Sequence, residues 1–389
     1  MRTAIVVGTG LIGTSVALAL SRRGVTVYLD DTDTTAARTA EALGAGSLQL
    51  PGKQVDLAVL AVPPGRIGAV LARCQLDDLA HTYTDVASVK ARPSDEIASA
   101  GGDPSSYIGG HPLAGSERSG PLAARADLFE GRPWVLTPSP RTDRASLNRG
   151  LELVSLCGGV PVLMDAAGHD RAVALTSHAP HLISSLMAAR LEEAESEHIR
   201  VSGQGLRDVT RIAAGEPALW GDILEANAEA VTSVLEAFAT DLDRLLSVLR
   251  AQRSADAAVR ARATGELDRI LRRGNRGHAR VPHKQRARPD EFVAIPVAIP
   301  DQPGALAALF SAVSEAEVNV EDVRIEHSLD QPRGLVELLV DPASVAGVRR
   351  VLDANGWSRH EDPHAGHGVR SADRAVGSMT GRRNPDPAR

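Results

Sequence analysis

The stretch VVGTGLIGTS, Val6 to Ser15, decides the fold of the N-terminal part of the chain. Its three glycines have the spacing G-x-G-x-x-G and stand between a β-branched run and an Ala-rich helical stretch. In that context the first glycine permits a tight turn, the second lets the backbone approach a pyrophosphate, and the third lets helix and strand pack closely. The motif therefore predicts a dinucleotide site at the amino end of the helix. The predicted cofactor-binding residues of this stretch are Gly8, Gly10, Leu11, Ile12 and Gly13.

The residues that follow this motif fit a doubly wound parallel sheet of the Rossmann type. Short β-branched runs alternate with Ala- and Leu-rich stretches as far as about Leu163, and strands alternating with helices are typical of βαβ units. The second run ends in Asp30, where a carboxylate accepts hydrogen bonds from the ribose hydroxyls of NAD and repels the extra phosphate of NADP. Asp31 adds negative charge and no arginine offsets it, so we expect NAD as the cofactor. A strand-to-helix turn without a ligand is the alternative.

Composition limits the class of protein. The chain has 389 residues, enough for two or three domains, and its 43% hydrophobic and 24% charged residues are ordinary for globular proteins. A net charge of −6 gives no reason to expect nucleic acid as a partner. The two cysteines, Cys74 and Cys157, fit a reducing compartment, and we find neither a signal peptide nor an apolar run of membrane-spanning length. We therefore expect a cytoplasmic protein without a membrane partner.

Changes of pattern along the chain divide it into five segments. Strand-like runs vanish after about residue 164, and the long Ala/Leu/Glu/Arg segments that replace them predict amphipathic helices. A basic stretch with Gly and Pro but no periodicity then predicts a linker, and the last residues lack the apolar content to bury anything. The predicted segments are an α/β nucleotide-binding domain (1–164), an all-α domain (165–271), a basic linker (272–291), a small α+β domain (292–358) and a disordered tail (359–389).

A second glycine-rich stretch, GGHPLAGSERSG from Gly109 to Gly120, brings an imidazole, hydroxyls and a carboxylate together. Because each glycine inside a helix or strand costs roughly 0.5–1 kcal/mol relative to alanine, this stretch is predicted to be a loop. Ligands of doubly wound sheets bind beyond the carboxyl ends of the strands, so His111 is expected at the reactive end of the cofactor. Another loop, TDVASVK from Thr84 to Lys90, brings Ser88 and Lys90 to the same edge. Lys90 fits an ion pair as well as a functional role.

The chain resembles the prephenate dehydrogenases of tyrosine biosynthesis in four motifs that occur in the family's order. These motifs are DVASVK, GGHPLAGSERSGPLAARADLFEGRPWVLTP, HDRAVALTSHAPHLISSLM and GLRDVTRIAAGEPALWGDILEANAEAV, and the resemblance covers nearly everything from Met1 to about Leu249. It implies a Rossmann domain, a helical substrate domain that forms an intertwined homodimer, and NAD-dependent oxidation with loss of CO2.

The resemblance also implies roles for individual residues. It makes His111 the acceptor of the substrate's hydroxyl proton, which suits an imidazole near neutral pH, with Ser88 orienting it or sharing the hydroxyl. It makes Arg211 the partner of a substrate carboxylate, which a guanidinium can hold by two parallel hydrogen bonds. Ser177 and His181, four residues apart, are expected on one helical face of the pocket. The further pocket residues that it implies are Ser116, Glu117 and Trp220, with Trp220 contributed by the dimer partner.

Some of these residues also fit ordinary structural roles. Glu117 fits a solvated carboxylate, Trp220 a core residue and Arg211 a surface ion pair. His178 fits a structural role better than a catalytic one. His178 and His181 lack the HExxH spacing or the carboxylate cluster of a zinc site, so we expect no metal.

The segment from Phe292 to about Trp357 resembles an ACT domain, a βαββαβ module that binds amino acids allosterically. The motif DQPGAL carries this resemblance, because it places a turn before a helix start, where exposed backbone N–H groups suit a ligand carboxylate. The resemblance implies tyrosine, the pathway product, as the effector. A dimerisation module without a ligand site is the alternative. The implied effector-binding residues are Asp301, Pro303, Gly304 and Asn319.

Other functions compete with this one. L-arogenate is the alternative substrate, because it differs from prephenate only in having an ammonium group in place of the keto group. A hydroxyacid dehydrogenase of the phosphogluconate type shares the layout but places a catalytic lysine where GQGLRDVTRIA has an arginine. A non-catalytic sensor of NAD and amino acids would not require His111, Ser88 and Arg211 together. The sequence therefore favours prephenate oxidation to 4-hydroxyphenylpyruvate with feedback control by tyrosine.

Overall fold

The computed structural model describes residues 1–49, 51–115, 118–281, 292–315, 318–327 and 333–359. The chain divides into two compact units, Met1–Ser254 and Ala255–Arg389. Three sequence predictions lie outside the described residues: the pocket residues Ser116 and Glu117, the second half of the basic linker (282–291) and the tail from residue 360 onward.

A seven-stranded sheet forms the centre of the first unit. Its strands are β1 (Thr3–Val7), β2 (Thr26–Asp30), β3 (Leu57–Leu60), β4 (Tyr83–Asp85), β5 (Tyr107–Pro112), β6 (Pro133–Thr137) and β7 (Val160–Leu163). Their order in space is β2-β1-β3-β4-β5-β6-β7. The chain moves one way from β1 to β2 and the other way from β3 onward, so β1 and β3 border the switch point at which ligands of such sheets bind.

The sheet is parallel over its first five strands, but β6 runs antiparallel to β5 and parallel to β7. The predicted parallel sheet is therefore present, with one antiparallel pair, β5 and β6. A parallel return needs a crossover, usually a helix, whereas the described residues between β5 and β6 contain only the short 3-10 turn Pro121–Ala123.

Helices cover both faces of this sheet and then continue as an all-helical region. The helices among the strands are α1 (Leu11–Arg22), α2 (Thr34–Ala42), α3 (Ile67–Leu76), α4 (Ala91–Ser99) and α5 (Arg144–Leu156). The later ones are α6 (Ala166–Val173), α7 (Ala179–Ala189), α8 (Ser196–Arg200), α9 (Gln204–Thr210), α10 (Pro217–Ala226) and α11 (Ala228–Ala251). A π-helical turn, Ala174–His178, joins α6 to α7. Such turns are rare in proteins, and many of those that occur lie at functional sites.

Two apolar clusters lie on opposite faces of the sheet because side chains alternate along each strand. Ala4 and Val6 of β1 pack with residues of α1 and α5, whereas Ile5 and Val7 pack with residues of α3. Leu20 and Leu71 are fully buried on their respective faces. This packing holds the carboxyl ends of the strands, and the loops that follow them, in fixed positions.

The second unit begins with α12 (Ala257–His278) and contains an antiparallel sheet with two helices. Its strands are β8 (Val293–Pro300), β9 (Val320–His327), β10 (Arg333–Val340) and β11 (Ser358–Arg359), and its helices are α13 (Ala305–Ser314) and α14 (Val345–Ala354). The strand order is β11-β8-β10-β9. Ile295, Val297 and Ile299 of β8 are buried against apolar residues of α13 and α14.

Helix α12 continues past the predicted end of the helical domain at residue 271, so residues 272–278 are helix and not linker. Gly274 and Gly277 suggested irregular structure, since glycine costs roughly 1 kcal/mol relative to alanine in a helix. An ion pair between Arg272 and Asp268, 2.7 Å apart on successive turns, favours the helix. In the described part of the chain, no helix has the length and apolar content needed to cross a membrane.

Candidate active site

The glycine motif forms the turn between β1 and α1, and each glycine is required for a different reason. Gly8 has a φ of +101°, and a Cβ there would lie 2.2 Å from the carbonyl oxygen of Ala61. A Cβ on Gly13 would lie 1.9 Å from the carbonyl oxygen of Gly8. A Cβ on Gly10 would meet nothing within 4 Å. Gly10 therefore faces open space beside the free N–H groups at the start of α1, which fits a bound phosphate.

A cavity of about 670 Å³ opens beside this turn, and it is lined by Asp30, the last residue of β2, and by Asp31. Leu11 and Ile12, which form the first turn of α1, are half-buried behind the glycines. The carboxylate of Asp31 accepts hydrogen bonds from the backbone N–H of Thr9, at 2.5 Å, and from its hydroxyl, at 2.7 Å. Asp31 thus holds the glycine turn. The side chain of Asp30 makes no hydrogen bond within the described residues and remains available to a ligand.

The cavity wall also carries positive charge that sequence reasoning did not anticipate. Arg66, Arg73 and Arg92 line it together with the two acids. Arg73 pairs with Asp77, and Arg92 pairs with Glu96 and with Glu225 of α10. Arg66 forms no ion pair within the described residues. Two further acids, Asp222 and Glu225, line the same cavity, and no arginine forms an ion pair with Asp30 or Asp31 within the described residues.

His111 lies in β5, so the first four residues of the predicted loop are strand. The glycines before it are explained by close packing. A Cβ on Gly109 would lie 2.4 Å from Oγ1 of Thr137, and one on Gly110 would lie 2.6 Å from the carbonyl oxygen of Asp85. Glycine stands here because neighbouring strands approach closely, which outweighs its weak strand propensity.

A chain of hydrogen bonds determines which nitrogen of His111 carries the proton. His169 Nδ1 lies 2.7 Å from Oδ1 of Asp170, and His169 Nε2 lies 2.8 Å from Nδ1 of His111. A carboxylate oxygen only accepts, so His169 carries its proton on Nδ1 and accepts at Nε2. His111 must then donate from Nδ1, and its neutral ring presents a lone pair at Nε2. The arrangement makes His111 a proton acceptor.

Burial and charge keep this chain in that form. Burial holds the pKa of His111 well below its ordinary value, and nearby His169 and Lys90 lower it further. Burial alone would raise the pKa of Asp170, but hydrogen bonds from His169 and from the backbone N–H groups of Ala91 and Lys90 outweigh it and lower that pKa. Near neutral pH, His111 is therefore uncharged and Asp170 is ionised.

The segment that carries Ser88 is held at both ends by carboxylates. Asp85 forms a buried ion pair with the ammonium of Lys90 and accepts a hydrogen bond from the hydroxyl of Tyr107. Asp170 accepts hydrogen bonds of 2.8 Å from the backbone at the other end. Lys90 is 1% exposed, and burial lowers its pKa while Asp85 opposes that shift. Ser88 is half-buried, and its hydroxyl has no hydrogen-bond partner within the described residues.

A second group of rings lies on the helical side of the site. Trp220 of α10 stacks on His181 of α7, with ring centroids 3.6 Å apart and planes 7° apart. His178 meets Trp220 edge-on at 6.0 Å. The amide nitrogen of Asn227 lies 2.9 Å from the carbonyl oxygen of Asp170 and 3.1 Å from Nδ1 of His178. Trp220 therefore reaches His181 within a single chain.

Arg211 and Ser177 are both exposed in the single chain. Arg211 begins a 3-10 turn that packs against α7, the helix of His181, and its guanidinium makes no hydrogen bond or ion pair within the described residues. Ser177 lies in the π-helical turn and is exposed, whereas His181 lies in α7 and is only 7% exposed. The two side chains, which were expected on one face of a helix, therefore differ in burial. The structure brings His111, His178 and His181 into one region and shows no contact between Arg211 and His111.

Sequence reasoning did not assign roles to His169, Asp170 or Asn227. An adjacent His-Asp pair within a helix was the available signal for the first two. Asn227 offered no signal, because its contacts join residues 57 and 49 positions away. Within the described ranges, no group of three or more His, Cys, Asp or Glu side chains is arranged to hold a metal ion.

Comparisons with known proteins identify the family. A family model described as prephenate dehydrogenase, nucleotide-binding domain, matches residues 16–163, and one described as prephenate dehydrogenase, dimerization domain, matches residues 165–261. The probable prephenate dehydrogenase NovF of Streptomyces niveus is 42% identical over 359 residues, which are 92% of this chain and 99% of that protein.

Two solved structures are similar in fold as well as in sequence. Prephenate dehydrogenase from A. aeolicus, in complex with hydroxyphenyl propionate and NAD+, is 27% identical with a TM-score of 0.62 and covers 72% of this chain and 97% of that one. Synechocystis arogenate dehydrogenase is 27% identical with a TM-score of 0.59 and covers 71% of this chain and 99% of that one. The chain belongs to the prephenate dehydrogenase family.

Proposed function

We propose that this chain oxidises prephenate with NAD+ and releases CO2, giving 4-hydroxyphenylpyruvate. The observation that supports the chemistry best is the lone pair at Nε2 of His111, which the hydrogen bonds through His169 to Asp170 direct toward an incoming proton. The open space at Gly10 and the unpaired carboxylate of Asp30 fit the phosphates and the ribose of NAD.

His111 moves one proton in each direction during turnover. The substrate hydroxyl donates to Nε2 of His111, which takes the proton as the hydride leaves the carbinol carbon. NAD+, when bound at the glycine turn, accepts that hydride. The C–C bond to the ring carboxylate then breaks, its electrons aromatise the ring, and the new phenol oxygen takes the proton back from His111. Asp170, acting through His169, stabilises the positive charge that His111 carries between these steps.

The remaining pocket residues are proposed to bind the substrate. The unpaired guanidinium of Arg211 beside α7 fits a substrate carboxylate, and the half-buried hydroxyl of Ser88 fits the substrate hydroxyl. Arg211→Ala should mainly raise the KM for the substrate. The other residues proposed to line the pocket are Ser116, Glu117, Ser177, His181 and Trp220.

The experiment that tests this function follows NADH formation with NAD+ and either prephenate or L-arogenate at matched concentrations. We expect the higher kcat/KM with prephenate. A higher kcat/KM with L-arogenate would reassign the substrate and leave the chemistry of His111 intact. No NADH formation with either substrate would overturn the proposal and favour a sensor of NAD and amino acids.

The proposed assembly is a homodimer in the cytoplasm. The helix α11 exposes Phe238, Leu242, Leu246 and Leu249 at helical spacing, which fits a helical dimer interface. Both cysteines are free and buried, as is usual in a reducing compartment. Light scattering coupled to size exclusion should give twice the mass of the chain, and a monomer would contradict this assembly.

We propose that the C-terminal sheet and its two helices are an ACT-like domain that binds tyrosine. Its elements follow in the order strand, helix, strand, strand, helix, strand. Gly304, with a φ of +89°, closes the turn before α13, and a Cβ there would meet nothing within 4 Å. Asp301 and Pro303 are exposed in the same turn, and exposed Asn319 donates a 2.7 Å hydrogen bond to Glu321.

Gly304→Ala tests this regulation, with Gly356→Ala as the matched control. Both glycines have positive φ and open surroundings, so both changes introduce similar backbone strain into the same unit. We expect Gly304→Ala to weaken tyrosine inhibition by at least about fivefold, the lower end of typical allosteric coupling, and the control to leave it unchanged. Unchanged inhibition in both variants would place tyrosine in the catalytic pocket.

A further inference from the structure

The buried side-chain amide of Asn227 connects two groups of rings. One group is His111 with His169, and the other is His178 with His181 and Trp220. Asn227 lies between α10 and α11 and is 5% exposed. Its amide nitrogen lies 2.9 Å from the carbonyl oxygen of Asp170 and 3.1 Å from Nδ1 of His178. Asp170 in turn orients His169 and, through it, His111. A single side chain therefore contacts both the backbone that supports the proton acceptor and a second histidine.

The chemistry of these contacts determines the tautomer of His178. A carbonyl oxygen only accepts hydrogen bonds, so the Asn227 atom beside Asp170 is the amide nitrogen and not the amide oxygen. That nitrogen has a second N–H and no lone pair with which to accept. Nδ1 of His178 must then be the acceptor, and the neutral ring carries its proton on Nε2.

The surroundings of His178 keep the ring neutral. Burial lowers its pKa to about 4, an effect that the charge of Asp170 opposes and that His169 and His181 reinforce. A second proton on Nδ1 would also face the N–H group of Asn227, which cannot accept it. The ring is therefore a hydrogen-bond donor of fixed orientation throughout the neutral pH range.

The Nε2–H group of His178 has no hydrogen-bond partner within the described residues. The residue as a whole is 1% exposed, but Nε2 is not among the fully buried side-chain atoms that lack a partner, so this nitrogen reaches open space. A donor of fixed orientation that reaches open space is well placed to orient a ligand. Hydrogen bonds connect this ring through Asn227, Asp170 and His169 to the proton acceptor His111, and the ring lies edge-on to Trp220. Its missing partner is therefore expected to be a ligand of the same site.

We propose that Asn227 is a positioning residue that holds His178 with its proton on Nε2, and that His178 donates this hydrogen bond to an oxygen of the substrate. His111 then accepts from a substrate hydroxyl while His178 donates to a keto or carboxylate oxygen. The proposal rests on the function proposed above, since it names a further residue that binds the same substrate.

Substitutions of His178 separate a donor from a merely structural ring. His178→Leu removes the donor, whereas His178→Gln retains an N–H near the position of Nε2. Because a neutral hydrogen bond is worth roughly a factor of 3 to 10, we expect His178→Leu to raise the KM for prephenate about threefold to tenfold with little change in kcat. His178→Gln should restore most of the loss, and NAD+ affinity should stay unchanged in both variants.

A double substitution tests whether Asn227 acts through His178. Asn227→Leu is close in volume and should raise the KM for prephenate by a similar factor in the wild type. The same change made in the His178→Leu background should add nothing further to KM, because the group that Asn227 orients is already gone. Full additivity of the two KM effects would overturn the positioning role.

Direct detection of the proton tests the tautomer without relying on turnover. In the full-length protein labelled with nitrogen-15 histidine, the His178 signals are assigned by their absence from His178→Gln. We expect the proton on Nε2 in the wild type and a changed tautomer balance in Asn227→Leu. A proton on Nδ1 in the wild type, or a folded His178→Leu with unchanged KM, would overturn the inference. If the wild type did not oxidise prephenate, the proposed function would be overturned. The tautomer measurement would still test the position of the proton on His178.

Discussion

The glycine turn between β1 and α1 and the histidine cluster, which comprises His111, His169 and His178, differ in the groups that they present to a ligand. The turn after β1 presents backbone, and what it requires of Gly8 and Gly13 is the absence of a Cβ. The cluster presents side chains from β5, α6, the π-helical turn and the α10–α11 junction, and it requires a defined proton on each ring. The turn is therefore sensitive to volume, whereas the cluster is sensitive to charge and to hydrogen-bond direction.

The largest effect is expected from His111→Ala, which removes the proton acceptor and leaves the turn intact. Loss of a positioned base typically lowers the rate about 10²–10⁴-fold, so kcat should fall by that factor. The Kd for NAD+, measured by calorimetry, should stay unchanged. Turnover at the wild-type rate would contradict the mechanism.

Gly10→Ala is the reciprocal change at the turn. Its Cβ meets no protein atom within 4 Å, so the variant should fold, and the added methyl group would occupy space next to the cofactor phosphates. We expect a weaker affinity for NAD+ with the cluster unaffected. A variant that binds NAD+ like the wild type would remove Gly10 from the cofactor site.

The next largest effect is expected from Asp170→Asn, because it takes away the charge that stabilises protonated His111. We expect kcat to fall by about 10²-fold, at the lower end of losses in general acid–base catalysis. The matched control is Asp165→Asn on the same helix. Asp165 caps α6 through the N–H of Gly168, and asparagine is an equally good N-cap. Equal activities of the two variants, both folded by thermal melting, would exclude the role of Asp170.

A smaller effect is expected at the cofactor edge, where two adjacent acids have different partners. Asp30→Ala should lower kcat/KM with NAD+ by about tenfold, the value of a lost hydrogen bond to a charged group, and narrow the gap to NADP+. Asp31→Ala removes the acceptor of both hydrogen bonds from Thr9 and should weaken the binding of NAD+ and NADP+ alike. The ratio of kcat/KM for the two cofactors is the measurement, and an unchanged ratio in Asp30→Ala would refute the selectivity assigned to Asp30.

The smallest effect concerns pH. His111 is active when neutral, and its pKa is lowered, so activity should persist below the ordinary histidine range and fall only as the pH drops through the lowered pKa. From pH 7 to pH 6, kcat/KM should change by less than about twofold, whereas an unperturbed histidine would lose about threefold. If kcat/KM instead fell with a midpoint at the ordinary histidine pKa, the pKa of His111 would not be lowered in the free enzyme.

Local patterns predicted much of this molecule, and their failures have a common cause. The runs that predicted β1, β2, β3, β4 and β6 each lie on a strand, and helices begin where the strand pattern ends. The expected loop at Gly109 is strand, because the residues that explain its glycines, Thr137 and Asp85, are distant in sequence. The expected linker at Arg272 is helix, because α12 continues through Gly274 and Gly277 in spite of the low helix propensity of glycine.

The sequence by itself determined the features that a short segment can specify. Three glycines spaced along one turn and an acid at the end of the next strand need only local backbone geometry, so the nucleotide-binding turn and Asp30 were evident from the residues alone. The tertiary structure alone decided the protonation of His111. That property depends on the direction of hydrogen bonds from His169 and Asp170, which lie 58 residues and more along the chain. Direction and burial arise only when distant elements pack together, and no local pattern of residue types encodes them.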